Sequence, residues 1–156
     1  MLVPDSLRTN PYRILRLSSD APLSEIHKSA ASLRREARLG IGETNATDVP
    51  FLGQACRTET DIRAAVGRLE NPEQRLKDRL FWFHAVLPNI AAPTVVPEPV
   101  DAETAGIRHD NALRALINAI HSDLDDAGVR LWVDALRAWH QVISDDNYWT
   151  LSLAIE

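Results

Sequence analysis

The stretch NPYRILRLSSDAPLSEI, residues 10–26, decides the fold. Asn10-Pro11 pairs a side chain able to cap a helix with a proline whose fixed φ suits the first helical position. Tyr12, Ile14, Leu15 and Leu17 give a short helix from Pro11 to about Leu17 its apolar residues, and Ser18-Ser19-Asp20 stops it. The next helix is expected from about Pro22 to Leu39. Ile26, Ala30, Leu33 and Ala37 follow one another at steps of four, three and four, which draws a single apolar stripe. At about 100° per residue, His27, Lys28, Arg34, Arg35 and Arg38 gather on the other side.

Working outward, residues 40–57 read as a loop, because Gly40, Gly42, Pro50 and Gly53 break any period. Ile62, Ala65, Val66 and Leu69 then mark a third helix. Asn71-Pro72 closes it and opens a fourth, with Asn71 as cap, Pro72 at the first helical position and Gln74 placed for a capping box. This fourth helix is expected to run to about Leu87 and to be apolar on two sides, through Leu76, Leu80, Phe83 and Leu87 and through Phe81, Trp82 and Val86. PNIAAPTVVPEPV (88–100), with four prolines, reads as an extended connector. Two further helices are expected at about 103–124 and 127–143. Their apolar positions are Leu113, Leu116, Ile117, Ile120 and Leu124 in the first, and Val129, Trp132, Val133, Leu136, Trp139, His140 and Ile143 in the second. Ser144-Asp145-Asp146-Asn147 leads into a last short helix. The expected fold is all-α, with a helical unit at 8–87, a connector at 88–100, and a C-terminal extension at 101–156 packed back as a hairpin.

Composition sets the bounds. The chain has 156 residues, 45% of them hydrophobic and 25% charged, and a net charge of −5. These are the proportions of a folded domain and not of a disordered chain. An acidic balance disfavours nucleic-acid binding through overall charge. Cys56, the single cysteine, excludes an internal disulfide and a cysteine-based zinc cluster, and it reads as a passive thiol. The N-terminus lacks the pattern of a secretory signal, and no run approaches the ~20 apolar residues of a membrane span. A cytoplasmic protein is expected, so the Asn45-Ala46-Thr47 sequon carries no meaning.

The first 83 residues resemble a J domain, the co-chaperone module of the DnaJ family. Three stretches carry the resemblance: residues 10–26, the long helix with its basic outer face, and IRAAVGRLENPEQR (62–75). J domains carry a His-Pro-Asp tripeptide after the second helix, which couples Hsp70 contact to ATP hydrolysis. The corresponding positions here are about Arg38-Leu39-Gly40, so the resemblance does not extend to stimulation of an Hsp70 ATPase. It does extend to the positive side of the second helix, which docks on an acidic Hsp70 surface in the family. Lys28, Arg34, Arg35 and Arg38 are therefore the candidate protein-binding residues. The C-terminal half resembles extensions on degenerate J-like domains of uncharacterised bacterial proteins. The chain is expected to be a non-catalytic interaction module, an adaptor or the N-terminal part of a longer protein. Its partner is a protein, with an Hsp70-type chaperone among the candidates.

A second class of function is written in His109-Asp110. Phosphohydrolases of the HD type are all-helical and hold metal with a His, a His-Asp pair and a distant Asp. His84, His109, Asp110 and one of Asp123, Asp145 or Asp146 would fill those roles. That reading needs His84, His109 and Asp110 to converge within metal-bonding distance, and the interaction module does not. His109 precedes Leu113, Leu116 and Ile120 on an apolar face and is expected to be a half-buried packing residue, so no catalytic residue, metal ligand or cofactor is assigned. His121 and Asp123, two residues apart, are expected to be exposed and unrelated. Trp132 and Trp139, seven apart, are expected in the core, with Trp149 the exception among the tryptophans.

Overall fold

A computed structural model describes residues 4–40, 52, 55, 57–84 and 105–154, the side chains of 151–154 excepted. The described residues hold helices α1 (Asp5–Arg8), α2 (Pro11–Ile14), α3 (Leu23–Arg38), α4 (Glu59–Glu70), α5 (Pro72–Leu80), α6 (Ala105–His121), α7 (Asp126–Ile143) and α8 (Asp146–Ala154), and no strand. The 88–100 connector and most of the 40–57 loop, Cys56 included, lie outside the described residues.

The caps expected at Asn10 and Asn71 form, but no reciprocal Gln74 side-chain bond completes a capping box at Asn71 among the described residues. Asn10 accepts a hydrogen bond from the Tyr12 N–H at the start of α2, and Asn71 accepts one from the Gln74 N–H at the start of α5. A reciprocal capping box forms at Thr58 and Asp61, where α4 begins. Helix α2 ends in a Schellman turn: the Leu17 N–H reaches the Tyr12 carbonyl and the Arg16 N–H reaches that of Arg13. Arg16 takes the left-handed position there, with φ of 56°. Helix α1 was not anticipated; it tucks Leu7 into the core.

Helices α3 and α4 run antiparallel. Arg38, at the end of α3, pairs with Glu59 at the start of α4 (3.0 Å), while His27 near the start of α3 lies 3.7 Å from Glu70 at the end of α4. Between them and α2 sit Tyr12, Leu15, Ile26, Leu33, Ile62, Ala65 and Leu69, buried in one cluster. Leu113 and Ile117 of α6 belong to that same cluster, so the C-terminal hairpin completes the N-terminal core.

Two expectations are corrected. The fourth helix stops at Leu80, short of Leu87. Residues 81–84 leave helical geometry and cross back to the turn after α2: the Ser19 N–H donates to the Phe83 carbonyl (2.8 Å) and the Trp82 indole N–H to the Leu17 carbonyl (2.8 Å). Trp82 and Phe83 are buried because the chain turns, not because two sides of a helix are covered. Helix α7, moreover, does not bury its most apolar face. It buries Gly128, Ala135 and Val142, seven residues apart, while α6 buries Ala105, Ala112 and Ala119 at the same spacing. Small side chains on both helices allow close backbone approach. At the turn into this hairpin a Cβ on Gly128 would lie 1.7 Å from the Asp123 carbonyl oxygen, so only glycine fits.

Helix α5 turns charge inward: Arg75, Asp78 and Arg79 are its buried residues. Arg79 Nε donates to the Ser19 carbonyl (2.8 Å), and Asn10 Nδ2 donates to the Asp78 carbonyl (2.9 Å). The Asp78 carboxylate pairs with Arg68 of α4, yet burial holds its pKa above the ordinary value despite that guanidinium.

Truncating Leu113, which is fully buried, to alanine is expected to cost about 2–5 kcal/mol. Far-UV circular dichroism and tryptophan fluorescence should then report one shared transition at lower temperature; separate transitions would show that the two halves fold independently. A raised carboxyl pKa in the folded state means that Asp78 favours folding most below its ordinary pKa of 3.8, an advantage lost as pH rises through the folded value. The difference in Tm between the wild type and Asp78→Asn should therefore move in favour of the wild type between about pH 7 and about pH 4.

Candidate functional site

The basic side of α3 is smaller than its sequence suggests. Lys28 and Arg35 are exposed and form no ion pair among the described residues. Arg38 is engaged by Glu59, whose carboxyl is held below the ordinary range by that hydrogen bond and charge. Arg34 is half-buried, and its Nε is enclosed without a hydrogen-bond partner among the described residues. Of the four candidates, two present free charge. At Arg38-Leu39-Gly40, α3 ends with Leu39 as its cap and a left-handed Gly40 with φ of 67°.

The histidines are where the structure departs furthest from a sequence-based view. His84, the last described residue before position 105, lies against the first turns of α6, and a Cβ on Gly106 would come to 3.4 Å from its side chain. Its Nδ1 is 3.0 Å from His109 Nδ1 and 3.4 Å from Asp110 Oδ1, and those two atoms are 3.2 Å apart. Among the described residues, no other His, Cys, Asp or Glu joins the group. His109 Nε2 is 2.9 Å from the Leu80 carbonyl, which can only accept, so the neutral His109 ring carries its proton on Nε2. The His84 backbone N–H donates to Asp110 Oδ1 (2.8 Å). Tyr148 of α8 stacks on the His109 ring at 5.3 Å, and Trp139 of α7 meets it edge-on at 5.4 Å.

His109 is thus fully buried rather than half-buried, and the grouping that the HD reading required does form. The rest of that reading does not assemble. Asp145 pairs with Arg108 and accepts the Asn147 N–H (3.0 Å); burial would raise its pKa, but these contacts hold it below the ordinary range. Asp123 and Asp146 are exposed and outside the group. With side-chain exposures of 8% for His84, 0% for His109 and 6% for Asp110, the three groups offer almost no surface to a substrate.

His121, the last residue of α6, and Asp123, beyond it, are both exposed, as expected. Trp139 packs against the main cluster and against a second one, formed by Ala105, Ala112, Val142 and Tyr148 of α6–α8, while Trp132, expected in the core, is half-buried. Trp149 packs against the α6–α8 cluster and donates its indole N–H to the Ile143 carbonyl (2.8 Å).

One surface was missed by reading apolar faces as buried faces. Val129, Val133, Leu136 and Ile143 stand exposed along α7, at 52%, 40%, 61% and 56%. Their steps of four, three and seven keep them on one narrow stripe, the spacing of a coiled-coil seam. No protein-family model, curated protein or solved structure matches the chain.

Because that stripe is solvated, Val133→Glu with Leu136→Glu should leave the fold intact. A Tm within a few degrees of the wild type is expected, since substitutions at exposed sites usually change stability by less than about 0.5 kcal/mol each. A large drop would place these side chains in the core.

Proposed function

We propose that the chain is a non-catalytic, degenerate J-domain-like module for protein–protein interaction, without the ability to stimulate an Hsp70 ATPase. The observation that carries this reading is the exposed apolar row of α7. A soluble helix usually covers such a row, and four apolar residues at coiled-coil spacing suit the apolar face of an amphipathic helix on a partner. The antiparallel α3–α4 pair, with α2 packed on α4, supports the J-like part of the proposal, as do the exposed Lys28 and Arg35. Two free charges in water make a weak docking site by themselves. The reading therefore places the principal contact on α7 and leaves the basic face a secondary role, steering an acidic partner.

The test compares three forms of the protein in affinity capture from host cells: wild type, Val133→Glu/Leu136→Glu and Lys28→Glu/Arg35→Glu. The wild type is expected to retain a specific protein, the α7 variant to lose it, and the α3 variant to retain it with slower association. In parallel, the wild type should leave the ATPase rate of a purified Hsp70 unchanged. Stimulation that disappears in the α3 variant would return the function to chaperone coupling, and failure to capture any specific protein would overturn the module.

A further inference from the structure

We propose that His84, His109 and Asp110 form a structural metal site for one divalent ion of the zinc class, independent of any interaction made by α3 or α7. The geometry is the first reason. Three donor atoms lie at mutual distances of 3.0, 3.2 and 3.4 Å, close to an equilateral triangle. An ion at about 2.1 Å from each would sit about 1 Å off their plane, which is one face of a zinc tetrahedron. Two imidazole nitrogens and one carboxylate oxygen are also the donor set that such an ion accepts.

Proton accounting is the second reason. His109 commits its proton to the Leu80 carbonyl, so its Nδ1 presents a lone pair. Asp110 Oδ1 presents another. A neutral His84 with its proton on Nδ1 can serve one of these two acceptors well, and the contact of His109 Nδ1 with Asp110 Oδ1 remains one between acceptors. His84 Nε2 is enclosed without a hydrogen-bond partner among the described residues and is the same with or without an ion, so the conflict lies on the Nδ1 side of the ring. Converging lone pairs out of reach of water are costly, and a cation among them removes that cost. With the His84 proton on Nε2, all three atoms face the ion unprotonated, and no proton need leave the protein.

The third reason is the surrounding support. The Leu80 carbonyl orients His109 through its other nitrogen, the arrangement that metal-bound histidines usually show. The His84 N–H holds the Asp110 carboxylate, and the Tyr148 ring lies flat against His109. The three side chains fill three positions of a tetrahedral ion, and no further His, Cys, Asp or Glu among the described residues joins them. Low exposure makes the role structural: the ion ties the end of the α5 segment to the first turns of α6.

The experiment titrates the purified, metal-stripped full chain with Co²⁺, then displaces it with Zn²⁺. One Co²⁺ per chain is expected, with the visible absorption of low-coordinate cobalt, and at Zn²⁺ about 100-fold above Kd the Tm should rise by about 5–10 °C. His84→Phe keeps an aromatic ring in place without a donor, and Asp110→Asn keeps an acceptor for the His84 N–H without the charge. Each should abolish the absorption and the Tm rise, while His140→Ala, on the exposed side of α7, should keep both. The proposal is overturned if the wild type shows neither signal, if both variants of the cluster retain them, or if His140→Ala removes them. Should one cluster variant fail to fold, the other and the wild-type titration still decide.

Discussion

Three hydrogen bonds hold the turn at 17–19 against residues 79–83: Arg79 to the Ser19 carbonyl, the Ser19 N–H to the Phe83 carbonyl, and the Trp82 indole to the Leu17 carbonyl. Much of the remaining structure depends on this seam. It ends α5 after nine residues, because a chain that must present its carbonyls sideways cannot go on bonding them along a helix axis. It drives Trp82 and Phe83 into the cluster beneath α2 and α4. It also sets the direction in which the chain leaves, which brings His84 against α6. Contact between the two halves is thus established by a local break in helical order.

Polar groups specify the interface around that seam. Asn10 serves twice, capping α2 through its oxygen and reaching the Asp78 carbonyl through its nitrogen, so a single residue registers the start of one helix against the body of another. Arg68 and Asp78 join α4 to α5 with little surface exposed at the carboxylate. Such pairs add less stability than their Coulomb attraction implies, because both charges must shed water. Their directional bonds do make wrong registers expensive. The apolar cluster provides the driving force, and the buried polar contacts select one arrangement for it.

Much of the fold was legible in residue order, and the failures have physical causes. Asn10-Pro11, Asn71-Pro72 and the stripe of Ile26, Ala30, Leu33 and Ala37 announce their helices, because capping and amphipathic spacing are local. The aromatic run at 81–83 misled, since apolar residues on consecutive positions look alike whether they cover a helix or line a turn that folds inward. Helix α7 misled differently: hydrophobicity ranks Val133 and Leu136 above Gly128 and Ala135, but close helix packing rewards small volume. Side-chain chemistry flagged His84, His109 and Asp110, whereas their meeting depends on where residues 81–84 turn. The basic face of α3 was legible as charge; that Glu59 engages Arg38 was not, because the two are 21 positions apart.

The sharing of one core between α2–α4 and α6 has a consequence for synthesis. Leu113 and Ile117 are the last members of the main cluster to be made, some thirty residues after Phe83. At about 5–20 residues per second, the emerging N-terminal segment spends seconds with a gap in its core. Throughout that interval it exposes apolar surface of the kind that nascent-chain chaperones grip. Only the arrival of its own sixth helix, with Leu113 and Ile117, closes that gap.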